Sequence, residues 1–151
     1  MADALDVAVD LCAEFEGFRS APYRDVVGVP TIGYGTTVYP DGRKVAMTDP
    51  PISEAVARGY KRAYLEDARK TILGALGRTS VTDNQLGAVL SLAYNVGVPA
   101  IVGSTLMKLL KQGADRMQVA DEFPKWRNAG GKPVAGLLRR RYQEAAVFLR
   151  P

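Results

Sequence analysis

The chain has 151 residues, 47% hydrophobic and 24% charged, with a formal net charge of +4, one cysteine and no histidine. That is the composition of a folded globular protein, long enough to bury roughly 70% of the surface its unfolded form exposes. A single cysteine excludes an intramolecular disulfide, and the absence of histidine excludes Ser-His-Asp and Cys-His catalysis and the usual zinc ligand sets.

Residues 3–19 carry Leu5, Ala8, Cys12 and Phe15 at helical steps, with Gly17 as the stop. Asp3, Asp6 and Asp10 interrupt this stretch, and no basic segment precedes it. It is therefore neither a secretory signal nor a membrane span, and the chain is expected to remain where it is made. Residues 22–47 are rich in Pro, Gly, Thr, Tyr and Val, which predicts strands and turns, with Pro40-Asp41-Gly42 as one turn. Ser53 opens a long helix towards Leu76, and Gly77 stops it. Thr82 or Asp83 caps a helix from Gln85 to Asn95. Shorter helices are predicted over about 104–112, 115–123 and 134–149, the last with Leu138, Tyr142, Ala145 and Leu149 on one stripe. The pattern is one domain over residues 1–151, an α plus β part followed by a helical part.

Placed at about 100° per residue, Asp3, Asp6, Asp10 and Glu14 share a polar arc of the first helix, whereas Glu16 falls at the apolar edge beside Leu5, Val9 and Cys12. A carboxyl held against apolar surface has its charged form disfavoured, which suits a general acid. The alternative is a half-buried Glu paired with a cation such as Arg19. Further on, Asp25 and Thr31 are equidistant from Gly28, so a turn at Gly28 would make them cross-strand neighbours. An alternating strand from Val29 to Tyr39 would put Ile32, Tyr34 and Val38 on one face and Thr31, Gly33, Gly35 and Thr37 on the other. A Gly- and Thr-lined face suits close approach of a ligand. Two carboxyls in different environments are what acid/base glycoside cleavage requires.

Glu16-Gly-Phe-Arg19, Tyr23-Arg-Asp25 and Thr31-Ile-Gly-Tyr-Gly35 resemble the catalytic region of the phage-type lysozymes, glycoside hydrolase family 24. In that family a Glu, an Asp nine residues on and a Thr six further form the catalytic set, and the spacings match here. Ala93-Tyr-Asn-Val-Gly97, Gly103-Ser-Thr105, Glu122-Phe-x-x-Trp126 and Gly136-Leu-x-x-Arg140-Arg141-x-x-Glu144 are similar to the C-terminal lobe of its lambdoid endolysin branch. Thr36 stands where some members carry a His.

The resemblance implies an α+β lysozyme-like fold, with a small hairpin-bearing N-terminal lobe and a helical C-terminal lobe joined by a long helix. It implies a muramidase that cleaves the β-1,4 bond between N-acetylmuramic acid and N-acetylglucosamine for host lysis and phage release. Glu16 would be the acid and Asp25 with Thr31 would assist water attack. Gly33, Gly35, Thr37, Tyr94 and Asn95 would bind substrate. No cofactor or metal is implied. Peptidoglycan is the partner, a holin gives functional access to the wall, neither nucleic acid nor a membrane span is involved, and a monomer is expected. Such an enzyme would accumulate in the host cytoplasm and act on the periplasmic wall once the membrane is permeabilised.

Two other readings stay open: a lytic transglycosylase, which needs no water, and a non-catalytic module binding wall or nucleic acid through Lys125, Arg127, Lys132, Arg139, Arg140 and Arg141. Cys12 lies one turn before Glu16 and reads either as a small core residue or as a regulatory thiol.

Overall fold

The structure is a computed structural model that describes residues 2–151. Helix α1 (Ala4–Phe15) starts with a capping box in which Asp3 and Asp6 each accept the other's backbone N–H. Its acidic side is tied to the long helix α2 (Glu54–Leu76): Arg62 pairs with Asp3 at 2.7 Å and Asp6 at 2.5 Å, and Arg58 pairs with Asp10. Its other side buries Leu5, Ala8, Val9 and Cys12.

Between these helices lies the small lobe. Strands β1 (Arg19–Arg24) and β2 (Pro30–Gly33) form an antiparallel hairpin, bulged between Arg19 and Tyr23. A small core of Ile32, Tyr39 and Val45 seats this lobe against Ile52 and Tyr60. Residues Pro40–Gly42 do turn, with the Gly42 N–H donating to the Tyr39 carbonyl at 2.9 Å.

Helix α2 is capped by Ser53 and ends at Gly77. Its 23 residues make a rod roughly 35 Å long that joins the lobes. Helix α3 (Asp83–Val96) starts at Thr82, whose capping box with Gln85 satisfies two backbone donors, and runs through the centre of the helical lobe. It packs against α1 so closely that a Cβ on Gly87 would lie 2.5 Å from Val7. Around it lie α4 (Val98–Val102), α5 (Thr105–Lys111), α6 (Arg116–Ala120), a short 3-10 turn Phe123–Lys125, the two-residue strands β3 (Asn128–Ala129) and β4 (Lys132–Pro133), and α7 (Ala135–Phe148). Among the described residues no helix is long and apolar enough to cross a membrane.

The α+β architecture matches the expectation, while several local details differ. Helix α1 stops at Phe15 rather than near Gly17, and Glu16 is its extended C-cap (φ −110°, ψ 124°), because the chain is already turning into β1. The strand expected to run to Tyr39 ends at Gly33. There Gly33 (φ +66°) and Gly35 (φ +75°) fold the chain back so that Ile32 and Thr36 exchange backbone hydrogen bonds. The stripe expected on α7 is rotated: Tyr142 is exposed, and Arg140, Arg141 and Glu144 are buried beside Val147 and Phe148. A periodicity reading assigns the inside to apolar residues, whereas here mutually paired charges occupy it.

Candidate active site

Glu16 leaves α1 through a backbone N–H bonded to the Cys12 carbonyl at 2.9 Å. Its carboxylate lies under the turn made by Gly35: a Cβ there would sit 3.5 Å from Glu16 Oε2 and 3.6 Å from the Tyr94 hydroxyl. Glycine thus keeps the carboxylate clear of a side chain at a backbone angle that other residues rarely adopt. Beside it is a cleft of about 330 Å³ lined by Gly35, Thr36, Thr37, Val38, Tyr60, Lys61, Tyr64, Tyr94 and Asn95. The Tyr64 ring meets the Tyr94 ring edge-on at 5.4 Å.

The cation beside Glu16 is Lys61, not Arg19. Lys61 Nζ lies 3.0 Å from Glu16 Oε2, donates to the Tyr94 hydroxyl and sits 3.7 Å from the centre of the Tyr94 ring. The Arg19 guanidinium instead stacks on Tyr23 at 4.4 Å. Lys61 is 2% exposed, and the Glu16 side chain 23%. Burial pushes the Lys61 ammonium below the ordinary lysine range, and the Glu16 carboxylate partly restores it. Burial and the nearby Glu16 carboxylate push the Tyr94 phenol up, so it stays protonated.

Sequence reading missed Lys61, although it left a trace. The buried residues of α2 are Ala57, Lys61, Leu65, Ala68, Ile72 and Leu76, a helical stripe with one charge in it.

On the hairpin, Asp25 Oδ1 accepts the N–H groups of Val27 at 3.0 Å and Val29 at 2.9 Å. Thr31 is buried, and its hydroxyl donates to the Val29 carbonyl at 2.8 Å. The register corrects one expectation: Tyr23, not Asp25, is opposite Thr31, and the Asp25 N–H bonds the Val29 carbonyl. The offset is two residues, so Asp25 and Thr31 still share a face, diagonally across Val29.

Of the five expected substrate residues, Gly35, Thr37, Tyr94 and Asn95 line the cleft, and the three expected catalytic residues, Glu16, Asp25 and Thr31, lie outside its lining. Gly33 does not face it: a Cβ there would meet Ala57 Cβ at 2.9 Å, so this glycine serves the seat of β2 on α2. Asn95 also borders a neighbouring groove with Trp126 and Leu137. The basic cluster expected near the C-terminus is divided. Arg140 and Arg141 are buried with Glu144, and Lys125 pairs with Glu122 at 2.5 Å. Cys12 is buried, and burial pushes its thiol up.

Family comparison agrees with this layout. The Phage lysozyme family matches residues 13–144. The chain belongs to the phage lysozyme family. It is 37% identical to the endolysin of Salmonella phage P22, over 89% of each protein. It is 34% identical to the endolysin of Bacillus phage PZA over 93% of this chain but 52% of that protein, so the chain spans about half the length of that relative. A crystal structure of a P22 lysozyme mutant superimposes with a TM-score of 0.86 at 32% identity, covering 99% of this chain and all of that one. Residues 13–144 include Glu16, Lys61 and the whole cleft lining, so the family match spans the site.

Proposed function

We propose that this chain is an endolysin-type muramidase, a single catalytic domain that hydrolyses the β-1,4 bond between N-acetylmuramic acid and N-acetylglucosamine in peptidoglycan. The observation that carries this reading is the half-buried carboxyl of Glu16 set against Lys61, Gly35 and Tyr94, three residues that line a tyrosine-walled cleft. Glu16 protonates the leaving glycosidic oxygen as the glycosidic bond breaks. Asp25, fixed by two backbone N–H groups, orients the attacking water or faces the oxocarbenium-like charge, and Thr31 braces Val29 from its carbonyl side. Gly35, Thr37, Tyr94 and Asn95 hold the glycan. Inversion at the anomeric centre is the outcome the family resemblance implies.

The enzyme works as a monomer without cofactor. It accumulates in the host cytoplasm and reaches the wall when a holin opens the membrane. The tight fit of α1 into the fold, with its aspartates paired to Arg58 and Arg62, supports a helix that serves the core.

The test is digestion of purified peptidoglycan with mass spectrometry of the products. Reducing-end muramic acid products are expected, and anhydro-muramic products would establish a transglycosylase instead. Wall binding without any product would leave only a binding module. Expression in a Gram-negative cell without a holin should cause little lysis, and co-expression with one should cause rapid lysis. Prompt lysis by the unaided protein would refute the holin requirement.

A further inference from the structure

The buried cation on α2 has no structural need to be a lysine. Its stripe neighbours Ala57, Leu65, Ala68, Ile72 and Leu76 are all apolar. Taking an ammonium out of water is costly unless it is paired and hydrogen-bonded. The partners of Lys61 are the Glu16 carboxylate at 3.0 Å and the hydroxyl and ring face of Tyr94. Glu16 Oε2 is itself buried, with the Lys61 ammonium 3.0 Å away as its partner. The exposed part of Glu16 therefore lies elsewhere on the side chain.

An ammonium in contact with a carboxyl has two opposed effects. It stabilises the carboxylate left behind when the proton goes to the leaving oxygen, and it disfavours the protonated carboxyl that must exist beforehand. We propose that Lys61 is a positioning residue that anchors one oxygen of Glu16 against Tyr94 and thereby sets the alkaline limit of activity. This rests on Glu16 being the general acid.

Other charged or titratable groups act on the pair. Cys12 reaches it from α1, Arg140 from α7 and Tyr94 from α3, and Tyr64 of α2 acts on Tyr94. Arg140 is already bound to Glu144 at 3.2 Å, so Lys61 is the cation in contact with Glu16.

The experiment measures initial rates of peptidoglycan solubilisation at limiting substrate from acid to alkaline pH. It compares wild type, Lys61→Met, Lys61→Gln and Lys61→Arg. Lys70→Met, at an exposed position further along α2, removes the same net charge and serves as the control for wall attraction. Circular dichroism establishes that each variant is folded, and two neutral substitutions guard against one failing to fold.

The alkaline limb is expected to move up by about one pH unit in Lys61→Met and Lys61→Gln, which is about tenfold in rate on that limb. It should not move up in Lys61→Arg or Lys70→Met. An unmoved limb in folded Lys61→Met and Lys61→Gln, or complete loss of activity at every pH in both, would overturn the proposal. Glu16→Gln assayed alongside separates the two readings. If it is inactive while the limb stays fixed, the role of Lys61 fails alone; if it is active, the assignment of Glu16 fails with it.

Discussion

Two carboxylates in this molecule, one buried and one half-buried, pair with buried cations in different surroundings. Glu144, on α7, is fully buried. It accepts from the Ser91 hydroxyl at 2.5 Å and from Arg140 Nε and Arg141 Nη2 at 3.2 Å each, and its second oxygen lies 2.7 Å from Arg141 Nε. Arg140 also bonds the Ser91 carbonyl, and Arg141 reaches the Trp126 carbonyl. Glu144 thus ties α7 to α3 and to the chain before β3. Burial pushes its carboxyl up, and the two guanidiniums oppose that shift. Each carboxylate has one oxygen without an aligned donor, Glu144 Oε1 and Glu16 Oε2, but Glu16 has one ammonium and a partly exposed side chain beside an open cleft. The contrast teaches that burial alone does not mark a reactive carboxyl. Under the proposed function, what separates the two is partial exposure beside an accessible cavity.

The largest expected effect tests one side of this contrast. Glu16→Gln keeps the shape but deletes the transferable proton. Peptidoglycan clearing should fall by about 10²–10⁴-fold, with urea unfolding little changed. Normal clearing would end the acid assignment.

Next, Glu144→Gln should do the reverse. It leaves two buried guanidiniums without their counter-ion, at a cost of about 3 kcal/mol by urea denaturation, while the folded fraction still solubilises peptidoglycan. An unchanged urea midpoint would mean the cluster is not the inter-helix tie described above.

The hairpin supplies a smaller, sharper test. Asp25 and Thr31 brace opposite sides of one peptide residue, Val29, so their losses should not add. The double variant Asp25→Asn, Thr31→Ala should be little worse than the poorer single one, a coupling of about 0.5–3 kcal/mol. Fully multiplicative losses in clearing rate would assign them separate tasks.

The smallest effect belongs to Glu14, which is exposed on α1. Glu14→Gln should leave both clearing rate and urea midpoint close to wild type, and a large loss of either would place Glu14 in the site.

Much of the fold was legible in sequence because its signals are local. Ser53, Thr82, Gly77 and the Pro40–Gly42 turn act through backbone groups within a few residues, so capping and turn chemistry could be read in order. Glu16, Asp25, Thr31, Gly35, Tyr94 and Asn95 were singled out for a different reason: they stand in motifs that resemble a family pattern. The helical wheel that first singled out Glu16 was not its true setting, since that residue lies beyond the last helical turn.

Tertiary structure decided the rest. Whether Asp25 faces Thr31 directly or diagonally depends on a register set by the Asp25 side chain, which accepts two backbone N–H groups of its own loop. Whether Gly33 serves substrate or packing depends on how near Ala57 approaches. Arg140, Arg141 and Lys61 look in sequence like solvent-facing charges, because a charge is buried only where partners from other elements meet it. Those partners are Ser91 and the Trp126 carbonyl for the arginines, which also pair with Glu144 of their own helix, and Glu16 and Tyr94 for the lysine. Hydrophobic periodicity registers the transfer cost of a charge but not the distant partner that offsets it, so only the packed chain shows which charges lie inside.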